Sequence, residues 1–194
     1  WSTAWALPYL QSVVGLTADQ GRLVVVVNSL TAAGSAIALG RLSDRLRRRR
    51  TVMLGGAVTM IASWAALFLI PAPVPAVVAV ALTSLACACF PASSSSLVLA
   101  KESFRRDRAG TVLGPANVTS SIGAALLGAA VGLVLDSRWH GALAHGVRLY
   151  PVSAYVLVPA VLCAGSAISL VGVSLARETH AQQVPTPAPL DAIV

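Results

Sequence analysis

Charge is what this chain has least of: only 11% of its 194 residues are Asp, Glu, Lys or Arg, against 56% hydrophobic. A soluble globular domain carries about one-quarter charged residues, so this balance, with a mean hydropathy of +0.78, excludes an ordinary soluble fold and predicts an integral membrane protein. Cysteine is scarce too. Cys87, Cys89 and Cys163 all fall inside apolar stretches, where they read as packing residues. The spacing of Cys87 and Cys89 fits neither a zinc site nor a redox pair, and no histidine lies in that stretch, so neither metal nor cofactor is expected. The absence of a phosphate-cradling glycine loop with its lysine excludes ATP as the energy source. The formal charge of +7 raises nucleic acid as a partner, but the basic residues sit in short loops between apolar runs, with no aromatic-studded basic face beside them. Nucleic-acid binding is therefore not expected. The chain also opens at Trp1 already inside an apolar segment, with neither a basic leader nor a cleavage site, which reads as a piece of a longer protein.

What is present is a series of uncharged apolar windows. A helix needs about 20 residues to cross a hydrocarbon layer of about 30 Å. The longest window, Thr51 to Ala100, is divided near its centre by Pro71-Ala72-Pro73-Val74-Pro75. The expectation is an all-α polytopic domain over residues 1–178, with six transmembrane helices near 1–18, 22–41, 51–70, 76–100, 109–135 and 150–176. Residues 179–194, rich in proline and without apolar periodicity, are expected to form a disordered tail. Between the second and third spans lies Gly40-Arg41-Leu42-Ser43-Asp44-Arg45-Leu46-Arg47-Arg48-Arg49-Arg50. An arginine at mid-bilayer costs about 2.5–3.5 kcal/mol, so this cluster must meet water or headgroups. Alternating the loops puts eleven basic residues on one side and three (Arg22, Arg138 and Arg148) on the other. The positive-inside rule then predicts a multi-pass protein of the plasma (inner) membrane, held in the lipid bilayer with its C-terminus cytoplasmic.

The segment from Gly40 to Arg49 resembles the glycine, leucine, aspartate, arginine and paired basic signature of the major facilitator superfamily, with Gly40, Leu42, Asp44, Arg45, Arg48 and Arg49 in the matching places. Arg47 stands where the family usually has a second glycine, a departure common in the second copy of the signature. Glu102-Ser103-Phe104 followed by Arg108-Ala109-Gly110-Thr111 resembles the loop before the fifth helix of a half. The opening of the fifth span, Gly110 to Asn117, and the close of the sixth, Leu175-Ala176-Arg177-Glu178-Thr179-His180, look like the last helices of such transporters. The resemblance implies the C-terminal six-helix half of a twelve-helix secondary transporter, whose partners are the N-terminal half of the same polypeptide and a small-molecule substrate.

On that resemblance, Gly40, Leu42, Asp44, Arg45, Arg48 and Arg49 form a cytoplasmic gating motif, joined by Glu102, Arg108 and Gly110 of the next cytoplasmic loop. Physically, Gly40 would let a neighbouring backbone approach, while Asp44 would face a helix N-terminus and hold nearby arginines. Arg47 and Arg50 are expected to set topology alone. Gly110, Gly114, Gly123, Gly128 and Gly132 are expected to serve close helix packing. Large polar groups concentrate in the first, second, fourth and fifth spans, the ones that line the cavity in the resembled fold, and Tyr9, Gln11, Asn28, Thr31, Asn117 and Ser121 are the candidate substrate contacts. A buried amide without a partner costs about 1–3 kcal/mol, so Gln11, Asn28 and Asn117 must each meet another helix, water or a solute.

Three functions compete. A secondary transporter needs no covalent chemistry and works by alternating access. An intramembrane serine hydrolase fails because Ser93 to Ser96 have no histidine or lysine base in any span, so no enzyme is expected. A six-helix scaffold or channel-like subunit is the remaining alternative.

Overall fold

The computed structural model describes residues 5–104, 109–144, 147–176 and 178–179. The expected tail from 180 onward, Arg108 and His145 lie outside them. The described chain forms helices α1 (Ala6–Ser12), α2 (Ala18–Leu46), α3 (Arg49–Leu69), α4 (Ala76–Ser103), α5 (Ala109–Ser137), α6 (Val152–Tyr155) and α7 (Val158–Leu175). Between α5 and α6, two-residue strands β1 (Leu143–Ala144) and β2 (Val147–Arg148) pair antiparallel.

Five segments are long and apolar enough to cross a membrane: α2, α3, α4, α5 and the α6–α7 pair. Of the expected first span, over 1–18, the described residues show the seven-residue α1, which ends at Ser12. Gly15 then takes a φ of +78°, a left-handed turn open to glycine at little cost, and α2 starts three residues later. Thr17 and Gln20 set that start by a reciprocal capping box: the Gln20 N–H donates to Thr17 Oγ1 at 3.3 Å, and the Thr17 N–H to Gln20 Oε1 at 3.0 Å. The last expected span, 150–176, is broken at Val156–Leu157. Pro159 explains the break, because it lacks an N–H and its ring would clash with the Tyr155 carbonyl of a continuous helix.

The basic segment departs further from expectation. Rather than forming a loop after residue 41, it continues α2 to Leu46, leaving only Arg47 (φ 48°) and Arg48 before α3 begins. Leucine and arginine are good helix formers, so the charge that ends the apolar window does not end the helix.

Helix α3 packs against α4 and α7, and α2 packs against α4. Tyr9, Val13, Trp64, Leu67, Val131, Leu135, Tyr155, Val158 and Leu162 form the main buried cluster, joining α1, α3, α5, α6 and α7. The tightest of the glycines is Gly56, where a Cβ would stand 2.5 Å from the Ala92 Cβ and 3.3 Å from the Cys89 carbonyl oxygen. Only glycine admits α4 there. The glycines of α5 do not pack as expected: a Cβ at Gly110, Gly114, Gly123 or Gly128 meets nothing within 4 Å, and one at Gly132 only the Trp5 ring at 3.9 Å. Gly40 is equally open. Large apolar side chains such as Leu30, Leu133 and Ile168 are 68%, 71% and 75% exposed on the outside of the bundle, as suits contact with lipid.

Candidate gating site at the basic end

Three helix ends meet where the arginines cluster: the close of α2, the start of α3 and the close of α4. Arg49, first residue of α3, is the hub. Its Nε donates to both Glu102 oxygens at 2.8 Å, and its Nη2 lies 2.6 Å from Glu102 Oε1, a planar fork on a planar carboxylate. Its Nη1 donates to Asp44 Oδ1 at 2.9 Å and to Ser43 Oγ at 3.3 Å. The Arg49 and Glu102 side chains are only 11% and 12% exposed, whereas Asp44 is 66% exposed. Removing one partner of a buried pair costs about 3–5 kcal/mol, because the other charge is left without compensation. A change that strips one member from the buried Arg49–Glu102 pair is therefore costly.

Of the expected gating residues, the structure brings together Asp44, Arg49 and Glu102. Leu42, Arg45 and Arg48 are exposed, and neither Gly40 nor Gly110 meets a close neighbour, so the expected backbone approach at Gly40 is not made. Arg108 lies outside the described residues. Four participants escaped the sequence reading: Ser43, fully buried beneath the cluster; Glu178 and Thr179, beyond α7; and Arg50. Arg50, expected to set topology alone, donates through Nη2 to the Ser174 carbonyl at 2.5 Å. A signal for Glu178 existed, since it is an isolated acid directly after the last apolar window.

The candidate substrate residues do not share one cavity. Tyr9 belongs to the buried core and Gln11 is exposed. Asn28 lines a cavity of about 150 Å³ between α2, α3 and α4, with Ser29, Met60, Trp64 and Phe90 among its walls. Its Oδ1 accepts from Ser84 Oγ at 2.7 Å, and its Nδ2 has no partner. Asn117 lines a second cavity of about 350 Å³, with Ser96, Ser120 and Ser169. Phe90 borders both. Thr31 is half-buried and Ser121 exposed, the latter donating to its own helix at the Asn117 carbonyl at 3.1 Å; neither lines these cavities.

The opposite end carries a smaller polar cluster. Asp136, near the end of α5, accepts from Tyr150 Oη at 2.6 Å and from Arg148 Nη1 at 2.8 Å. The Arg148 guanidinium lies 4.6 Å from the centroid of the Trp139 ring, and Trp139 Nε1 donates to the Ala142 carbonyl at 2.9 Å. Trp139 thus braces the hairpin. The hydrogen bond to Asp136 holds the Tyr150 phenol above its ordinary pKa.

No curated protein and no solved structure matches the chain. The family model described as Major Facilitator Superfamily does match, over residues 1–192. With that match over nearly the whole length, apolar helices able to span a bilayer, and the basic signature gathered at one end of the bundle, the chain belongs to the major facilitator superfamily, as a multi-pass membrane protein of transporter type.

Proposed function

We propose that the chain carries a small solute across the inner membrane by alternating access, as the C-terminal half of a twelve-helix secondary transporter, with its basic end and C-terminus in the cytoplasm. The observation that carries this reading is the Arg49–Glu102–Asp44 cluster, which ties the ends of α2, α3 and α4 together through paired charges of the kind that can separate into water. A scaffold has no need of such a reversible clamp. The two cavities bordered by Phe90 offer Asn28 and Asn117 as solute contacts. The driving force is a solute or ion gradient.

The test is uptake of a panel of radiolabelled sugars, amino acids, carboxylates and aromatic cations by cells expressing the protein, with Arg49→Ala as the matched control. One solute class is expected to cross faster than in vector controls, with the rate falling at least about ten-fold in Arg49→Ala at equal membrane level, a ten-fold change being about 1.4 kcal/mol. A panel on which the protein and vector controls agree throughout would contradict the proposal.

A further inference from the structure

The cavity between α2, α3 and α4 holds a buried donor with nothing to receive it. Asn28, 1% exposed, accepts the Ser84 hydroxyl through Oδ1 at 2.7 Å, and its Nδ2 has no partner. A buried amide N–H is costly to leave unpaired, so a cavity that keeps one is suited to an occupant that accepts from it. The other walls are apolar or already engaged. Trp64 and Ala86 are buried in them, Met60 and Cys87 are half-buried, and Ser29 and Phe90 stand exposed at the rim. The Ser29 hydroxyl donates to the Val25 carbonyl at 2.9 Å, so its proton is spent within its own helix.

Size and chemistry narrow the occupant. At about 150 Å³ the cavity has room for several waters at ~30 Å³ each, but a buried water needs about three polar partners, which these walls do not supply. A dry apolar cavity of about this volume takes a benzene ring. A sugar would give up the water on several hydroxyls for mostly apolar walls. A cation would find aromatic faces in Trp64 and Phe90, yet it would also meet the Asn28 N–H groups, and none of the described residues lining the cavity is acidic.

We infer that the Asn28 cavity is a subsite for an uncharged ring about the size of benzene that carries a hydrogen-bond acceptor, as an aromatic ketone or amide does. Asn28 Nδ2 donates to the acceptor, and the ring lies against Trp64, Met60 and Ala86. Where a solute also bears a charge, that end stays outside this cavity. The inference rests on the transport reading only in making the occupant part of the solute; binding itself needs no transport.

The experiment uses the full chain in proteoliposomes, with Cys89 and Cys163 replaced by alanine so that Cys87, in the cavity wall, is the reporter. The rate of its alkylation by N-ethylmaleimide is read against acetophenone, against α-methylstyrene, which has the same shape without the acceptor, and against phenyltrimethylammonium. The first two are compared at equal concentration in the membrane, because both dissolve in lipid. Acetophenone is expected to protect Cys87 at about five-fold lower concentration than α-methylstyrene, the worth of one hydrogen bond, and the cation not to protect. In Asn28→Leu, which keeps the bulk and removes the donor, the two neutral rings should protect equally. Equal protection in the unaltered protein, protection by the cation alone, or none by any probe would overturn the subsite. So would equal slowing of Cys163 in a chain that keeps only that cysteine, since a change in the bilayer would then account for the effect. The uptake panel separates this inference from the reading beneath it. Selective protection of Cys87 in a protein that moves no solute keeps the subsite and discards its place on a transport path, whereas uptake without selective protection keeps transport and discards the subsite.

Discussion

At the scale of single residues, the account turns on Arg49, whose side chain binds two carboxylates, as that of no other arginine of its cluster does among the described residues. Arg49→Ala and Glu102→Gln should each lower the thermal stability of the purified protein, by about 3 kcal/mol if the stranded charge stays buried and less if water enters. The double variant should be less destabilised than the sum of the two, which a double-mutant cycle reads directly. Which arginine would be the hub was not legible in the sequence. Six arginines stand within ten residues, and only the end of α2 at Leu46 decides which one turns inward. That the Asn28 amide needs a partner was legible, and its Oδ1 has one while its Nδ2 does not. Its contact with Ser84, 56 residues away, was not legible. Asn28→Ala should raise the apparent substrate constant several-fold without lowering membrane level, and an unchanged constant would remove Asn28 from the solute path. At the opposite end, Tyr150 titrates above its ordinary 10.0 because its proton is shared with Asp136. The raised value means the contact contributes fully below the ordinary phenol range and is lost as pH rises through the raised pKa. A tyrosinate absorbance titration should show one phenol, the one removed in Tyr150→Phe, that ionises earlier in Asp136→Asn than in the unaltered protein.

At the scale of helices, hydropathy and proline placed α3, α4 and α5 within a few residues, since apolar runs and the Pro71 to Pro75 break carry that information in one dimension. They misplaced α2 and the last span for opposite reasons. Charge ends a hydropathy window without ending a helix, and Pro159 ends a helix without ending the window. The first helix ends at Ser12 rather than near 18, just before the turn at Gly15, a residue whose φ cannot be read from hydropathy. Small-residue spacing misled as well, pointing to α5 when the intimate contact is Gly56 on α3 against Ala92. Gly56→Val should separate α3 from α4 and cost about 1–3 kcal/mol by overpacking, whereas Gly123→Ala on α5 should be neutral or slightly stabilising. Thermal unfolding in detergent distinguishes the two. Thr17→Ala should cost about 1 kcal/mol through its lost cap and leave the gate untouched.

At the scale of the whole molecule, the five spanning segments form a bundle whose two ends are built differently. The basic end is tied by charges drawn from α2, α3 and α4, with the segment after α7 beneath them, and the other by a hairpin braced on Asp136. Phe90 lies between these ends, bordering both cavities, where alternating access would present it first to one side and then to the other. The most direct measurement is therefore two-sided labelling of Phe90→Cys, in the protein freed of its own cysteines, with a membrane-impermeant maleimide. The account predicts labelling from both faces of the membrane, with Glu102→Gln raising the rate from the basic face and lowering it from the other. Labelling from one face only, at a rate that Glu102→Gln leaves unchanged, would contradict it.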